Sequence, residues 1–186
     1  FYAKKYPENI NIIESGLFHR FDATNVLKKN LVSIITAIGL DHLDWLPKEE
    51  QTIEKIIFEK TSNLLNSKII IAKQSSNQIS KNIENTIKNN TSKKIIFDKN
   101  YSFCLKEKNF FYFEDEFGDL ELPMPNLNGK FQLENVSTAI VAARQLTGYK
   151  ITEEHIKNGI TKIESIGRLQ ELKSGKLKNL TKNNLL

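Results

Sequence analysis

The segment Leu31-Val32-Ser33-Ile34-Ile35-Thr36-Ala37-Ile38 is β-branched and almost continuously apolar. A strand with one face in water alternates apolar and polar residues. A run without that alternation suits a strand buried on both faces of a parallel sheet. Lys68-Ile69-Ile70-Ile71-Ala72 and Lys94-Ile95-Ile96-Phe97 read the same way, as does the shorter Ile10-Asn11-Ile12-Ile13, which ends on Glu14. Between them lie helical spacings. Ile53, Ile56, Ile57, Lys60 and Leu64 share one face within 48–65, with Pro47 just before the start, and a polar helix is expected over 79–87. This β-α-β-α-β alternation predicts a parallel α/β sheet flanked by helices.

The pattern then changes. Residues 101–106, 109–115 and 120–122 are short and aromatic-rich, with turn signals at Lys108-Asn109 and Phe117-Gly118, and predict a small antiparallel meander. Pro123-Met124-Pro125 closes it. After the Asn128-Gly129 turn come two amphipathic helices, over 131–146 and 152–165, with Gly148 between them and Thr152 as N-cap of the second. The stretch 174–186 is rich in Lys and Asn and is expected to fray. No internal repeat is found.

At 186 residues, such a chain can bury roughly 70% of the surface its unfolded form exposes, enough for one domain. No run of eighteen apolar residues is present, so a membrane span is not expected. The start, Phe1-Tyr2-Ala3-Lys4-Lys5-Tyr6, lacks an apolar h-region and a cleavage site, so no secretory signal is read there. It also lacks Met, which points to a true N-terminus upstream. A single cysteine, Cys104, fits a reducing cytosol. The net charge is +5, but of 27 basic residues only Arg20, Arg144 and Arg168 are arginines. The lysines are scattered among acids rather than gathered on one face, so nucleic acid is not the expected partner.

Five groups of residues carry possible chemistry. Glu14 follows a strand-like run, and an acid at the carboxyl end of a parallel strand stands where open α/β sheets bind ligands. It could serve a phosphate-bound Mg²⁺, or be a solvated acid entering a loop. Gly39-Leu40-Asp41-His42 leaves the next strand at the same rim. Gly39 permits a tight exit, and His42 reads equally as a ligand or as a cap. Lys60, late on the following helix, is either a functional amine or a snorkelling side chain. Asn135, in a helix's first turns, could meet a base edge or only cap. Arg168 after Gly167 could clamp a phosphate by its planar fork.

Taken in order, Glu14-x-Gly-Leu-x-x-Arg20-x-Asp-Ala-Thr-Asn25, Gly39-Leu-Asp-His42, Glu59-Lys60, Asn128-Gly-x-x-Gln132-x-x-Asn135 and Gly167-Arg168 resemble the folylpolyglutamate synthase/dihydrofolate synthase family, within the Mur ligase superfamily. The likeness is close over 10–65 and fair over 120–172. The Arg-x-Asp-Ala-Thr-Asn segment favours the folate branch over the peptidoglycan ligases. The resemblance implies a Mur-ligase central ATPase-type domain, a mostly parallel, P-loop NTPase-like sheet with the meander added. It implies an ATP-dependent amide ligase with Mg²⁺ that phosphorylates a carboxylate of dihydropteroate or a folate and joins L-glutamate to it. By position, Glu14 and His42 resemble the Mg²⁺ ligands and Lys60 a lysine that is carbamylated in the family. Phe21, Asp22 and Ala23 match the pteroate-contacting segment. Asn135 matches the residue near adenine, and Arg168 the one reaching the phosphates.

The chain departs from the family pattern as well. No Gly-x-x-x-x-Gly-Lys-[Ser/Thr] occurs in it. The family's phosphate loop lies ahead of Glu14, and its Asp-Gly-Ala-His-Asn signature belongs just past Leu186. Residues 1–172 are therefore expected to be the central domain without its phosphate loop, and 173–186 a linker or the start of a C-terminal domain. Phe18-His19 stands where the family has Gly-Gly, Thr61-Ser62 where it has Ala-Gly, Leu65 where it has Lys and Phe131 where it has His. If those first glycines use positive φ, bulky residues there cost about 1–3 kcal/mol each or re-route the loop. The expectation is a cytoplasmic ligase portion that is inactive alone. Two alternatives are a non-catalytic remnant and a split subunit needing a complementary fragment with the phosphate loop. A basic nucleic-acid-binding module is the third.

Overall fold

β-Branched runs fold as strands only where neighbours can take their hydrogen bonds and cover both faces, and three of the four runs find such neighbours. The computed structural model describes residues 5–107, 109–166, 169 and 174–180. Strands β1 (Val32–Ile35), β2 (Lys68–Ile71) and β3 (Lys94–Ile96) form a parallel sheet in the order β1-β2-β3. Val32 is in register with Lys68, and Ile70 with Ile95. Helices α1 (Ile53–Thr61) and α2 (Asn77–Thr86) are the crossovers. Each begins at a side-chain cap: the Thr52 hydroxyl accepts from the Lys55 N–H, and the Ser76 hydroxyl from the Ile79 N–H.

Ile69 and Ile71 point to one face of β2 and Ile70 to the other, and all three are fully buried. Ile69 and Ile71 pack with Ile35, Ile96, Ile56, Ile57 and Ile83, under α1 and α2. Ile70 and Ile95 pack with Phe111, Phe113, Leu122 and Val141, under the second layer. That layer comprises the antiparallel meander β4 (Tyr101–Glu107), β5 (Phe110–Asp115) and β6 (Leu120–Pro123), then α3 (Lys130–Arg144) and α4 (Glu153–Lys162). Thr152 caps α4 as expected, in a reciprocal capping box with His155. A short helix, α5 (Lys176–Leu180), follows in the stretch expected to fray. The expected boundary at 172/173 lies outside the described residues.

Tyr101 is the polar link between the layers. Its hydroxyl donates to the Ile71 carbonyl at 3.2 Å and lies 3.3 Å from the Thr138 hydroxyl, and burial pushes its pKa up to about 12. On the outer side of β3, Asn100 folds back. Its side-chain oxygen accepts from the Ile96 N–H at 2.9 Å, while the N–H groups of Lys99 and Asn100 donate to the Ile96 carbonyl. The opposite edge differs: β1 carries no Lys, Pro or bulge, and Ile34 is 46% exposed there.

The fourth run departs from expectation. Residues 10–13 form no strand, and Ile12 is 95% exposed. The reason is the missing neighbour, since no other described strand pairs with them. The helix expected over 48–65 is also shorter: a 3-10 turn at Lys48–Glu50 precedes α1, and Thr52 resets the start.

Truncating Ile70 or Ile71 to Ala removes buried methyl groups from opposite faces of β2. Each variant is expected to lose about 2–5 kcal/mol of stability, read as a fall in the urea midpoint at unchanged slope.

Candidate functional site

The carboxyl ends of β1 and β2 form one rim, and two side chains hold it together. The Gln74 amide oxygen accepts from the Ile38 N–H at 2.9 Å, while its NH₂ donates to the carbonyls of Thr36 and Ala72. Lys73 pairs with Glu134 of α3 at 3.0 Å. The chain leaving β1 therefore stays beside the chain leaving β2, and Lys73 ties α3 to the latter. Asn135, next to Glu134, is exposed, and its NH₂ donates to the Gln132 side-chain oxygen at 3.3 Å. Gln74 carries no motif and escaped the sequence reading, its only signal being its place just after a strand.

Beyond β1 the backbone takes a left-handed turn at His42 (φ 59°), not at Gly39. The Asp41 carboxylate stabilises this turn by accepting from the His42 N–H at 2.8 Å, and its second oxygen lies 3.3 Å from His42 Nε2. Asp and His visit this region more readily than most side chains, so the tight exit comes from the Asp-His pair. Nothing lies within 4 Å of where a Gly39 Cβ would stand.

The loop over 14–25 is organised by Asp22. One oxygen accepts from the Thr24 hydroxyl and N–H, capping a 3-10 turn at Ala23–Val26, and the other accepts from the Gly16 N–H at 2.9 Å. These bonds, Thr24's first, hold the Asp22 carboxyl below its ordinary value. A Cβ on Gly16 would stand 3.1 Å from that second oxygen, so the position favours glycine through close approach. Asn25 closes the loop by donating to the carbonyls of His19 and Arg20.

Glu59 fastens this loop to α1. It is 5% exposed, and it accepts from Arg20 Nε at 2.8 Å and faces Lys55 at 3.3 Å. The Arg20 N–H also donates to the Glu59 carbonyl at 2.9 Å. The Arg20 guanidinium then lies over the rings of Phe21 (4.3 Å) and Phe58 (5.2 Å). Phe21 remains 83% exposed and Ala23 is exposed.

At the next residue of α1, Lys60 Nζ donates to the Leu17 carbonyl at 3.1 Å and sits over the Phe18 ring at 5.6 Å. The same ring meets the His42 imidazole in a T-shaped contact, centroids 6.2 Å apart. Lys60 and His42 are thereby brought to one place, around Phe18. Glu14 is exposed and makes no hydrogen bond or ion pair among the described residues. Arg168 lies outside them. Neither Phe18 nor His19 has positive φ, so the strain expected there is absent; Phe18 packs instead against the core under α1. His19 Nδ1 is buried without a hydrogen-bond partner among the described residues.

Mg²⁺ demands a near-octahedral set of oxygen ligands. Among the described residues no three His, Cys, Asp or Glu side chains gather as such a set. The imidazole faces Asp41 and the amine faces a carbonyl. As arranged, these residues do not fit the ion.

No family model matches the sequence. Curated proteins do match it. Dihydrofolate synthase/folylpolyglutamate synthase of Escherichia coli (strain K12) is 29% identical over 174 residues, covering 90% of this chain and 37% of its own length. That of Haemophilus influenzae is 27% identical over 178 residues, covering 95% and 38%. The apo form of L. casei FPGS superposes with a TM-score of 0.70 at 25% identity, over 87% of this chain and 40% of its own. E. coli FolC in complex with DHPP and ADP gives 0.68 at 27% identity, over 84% and 35%. The chain is homologous to the dihydrofolate synthase/folylpolyglutamate synthase family. Its sheet, flanking helices and meander are those of the Mur-ligase central ATPase-like domain. It spans between 37% and 40% of the length of the curated relatives it matches. No helix among the described residues is long and apolar enough to cross a membrane.

Two measurements test this loop. Arg20→Ala leaves Glu59 buried with Lys55 alone and is expected to cost about 2 kcal/mol in thermal or urea unfolding. Because the folded Asp22 pKa is depressed, its stabilisation is present above the ordinary carboxylate value and lost as pH falls through the lower folded one. Below roughly pH 4 the Gly16 and Thr24 amide resonances are expected to shift together, and Asp22→Asn abolishes that titration.

Proposed function

We propose that the chain is the central, nucleotide-facing portion of an ATP-dependent ligase that joins L-glutamate to dihydropteroate or a folate. The single observation that supports this most strongly is the superposition, over 84% of the chain, on a folate-branch enzyme solved with DHPP and ADP. In this reading ATP transfers its γ-phosphoryl group to a carboxylate oxygen of the pteroate or folyl substrate, releasing ADP. The glutamate amine attacks the acyl phosphate, phosphate leaves, and an amide remains. The protein's part is positioning and charge neutralisation.

Lys60, His42 and Glu14 are proposed to serve the phosphoryl step, with Glu14 and His42 toward Mg²⁺ and Lys60 as a carbamylated lysine. As arranged these three form no ion site among the described residues, and what supports their assignment is their order and spacing along the sequence. Asn135 is proposed to lie near the adenine, and Arg168 to reach the phosphates. Phe21, Asp22 and Ala23 are proposed to meet the pteroate. The exposed Phe21 ring, steadied on one side by Arg20, supports this because it offers a flat surface to a flat heterocycle. The single thiol, Cys104, is exposed and free, which supports a cytoplasmic setting.

A second reading, that the chain acts with a complementary polypeptide carrying a phosphate loop, is favoured by β1. That edge strand lacks the charges, prolines and bulges that keep free edges unpaired. Ile12, Val26, Leu31, Ile34 and Leu40 are exposed on it and on the segments before and after it.

The chain alone is expected to add no labelled glutamate to dihydropteroate with ATP, because it holds no Gly-x-x-x-x-Gly-Lys-[Ser/Thr] phosphate loop; turnover by the purified chain would refute the need for that loop. Co-expression with a phosphate-loop fragment of a relative is expected to restore turnover, and Lys60→Ala to lower the restored rate about 100-fold. A restored rate indifferent to Lys60 would remove that residue from the chemistry.

A further inference from the structure

We propose that the cleft between the outer edge of β3 and the β4–β5 hairpin is a second ligand site, which takes a small organic ammonium ion on the buried Asp115 carboxylate. The cleft has a volume of about 380 Å³, within the range of small-molecule sites. It lies at the opposite margin of the sheet from β1 and uses none of the residues assigned to the ligase reading, so it stands separately. Asp115 ends β5, and its side chain is 1% exposed. One oxygen, Oδ1, is occupied: it accepts from the Phe117 N–H at 2.8 Å and faces the Arg144 guanidinium at 3.2 Å. The other, Oδ2, is buried with no hydrogen-bond partner among the described residues. Asp115 lines the cleft whereas Phe117 and Arg144 do not, so the free oxygen is the one on the cleft side.

A buried acceptor without a donor is costly, and native folds supply one. The cations lining the cleft are already spent elsewhere. Lys93 donates to Glu116 at 2.6 Å, and Lys99 to Glu84 of α2 at 2.6 Å. What remains is acid: Asp98 and Glu114, exposed on the lining, take no side-chain hydrogen bond or ion pair among the described residues. Burial pushes the Asp115 carboxyl above its ordinary value even though the Phe117 N–H and Arg144 draw it down. The carboxylate is therefore short of positive charge as well as of a donor. An N–H group bearing its own charge meets both needs, through a charge-assisted hydrogen bond to Oδ2. A bare metal ion does not, since no three His, Cys, Asp or Glu side chains gather as a ligand set among the described residues. An anion would face three carboxylates with both lysines engaged.

The test titrates putrescine, a linear diammonium, into the whole chain at fixed ionic strength, with 1,4-butanediol as the uncharged control of similar length. Binding is read by the Asp115 ¹³Cγ resonance and by calorimetry. Putrescine is expected to shift that resonance saturably and to bind at least ~10-fold more tightly than the diol. Asp115→Asn keeps the shape of the side chain and is expected to lose about 10-fold in affinity. Asp98→Asn combined with Glu114→Gln changes only exposed groups and is expected to weaken binding about 3-fold. Three results overturn the proposal. The first is no saturable shift of Asp115 ¹³Cγ with putrescine, and the second is equal binding of the diol. The third is undiminished putrescine affinity in the folded Asp115→Asn chain or, where that variant does not fold, in the double variant. All these readouts are independent of catalysis, so failure of a phosphate-loop fragment to restore turnover would count against the ligase reading alone.

Discussion

Burial of β2 on both faces is the constraint from which the remaining architecture follows. Three consecutive isoleucines leave no side for water, so helices must cover one face and a second layer the other. α1 and α2 meet the first need simply by being the crossovers. The meander and α3 meet the second, with Tyr101 supplying a hydrogen bond across the junction where apolar contact alone would leave the Ile71 carbonyl and Thr138 hydroxyl less well served. Because β2 fixes which ends of β1 and β2 lie together, it also fixes the rim that Gln74 ties across.

Much of this was legible in the sequence, for identifiable reasons. The runs at 31–38, 68–72 and 94–97 declare double-sided burial, and Thr152 declares a helix start by its hydroxyl. The run at 10–13 has the same composition yet no partner strand. Apolar β-branching reports that a segment could pair, not that a neighbour exists. Gly39 misled in a similar way. Glycine is permissive, but the left-handed step went to His42, where Asp41 stabilises it through a local hydrogen bond that no spacing rule encodes.

The rim was only half legible. Lys60 and His42 were singled out by order and spacing, and the fold brings them to one ring. The ring itself was noted as Phe18 replacing a glycine, for which strain was the expectation; packing is what the fold provides instead. Glu59 appeared in the sequence merely as the neighbour of Lys60. Its importance lies in being a buried carboxylate shared by Arg20 and Lys55, and burial at a single position cannot be read from residue type. The loop over 14–25 thus holds its shape through polar bonds to Asp22 and Glu59 rather than through a core of its own.

The two margins of the parallel sheet are chemically unequal. At β3 the side chain and backbone of the following turn have already taken up the outward groups of Ile96, whereas at β1 nothing comparable intervenes among the described residues. A strand added to this sheet would find free backbone groups beside β1, whereas beside β3 those of Ile96 are already engaged.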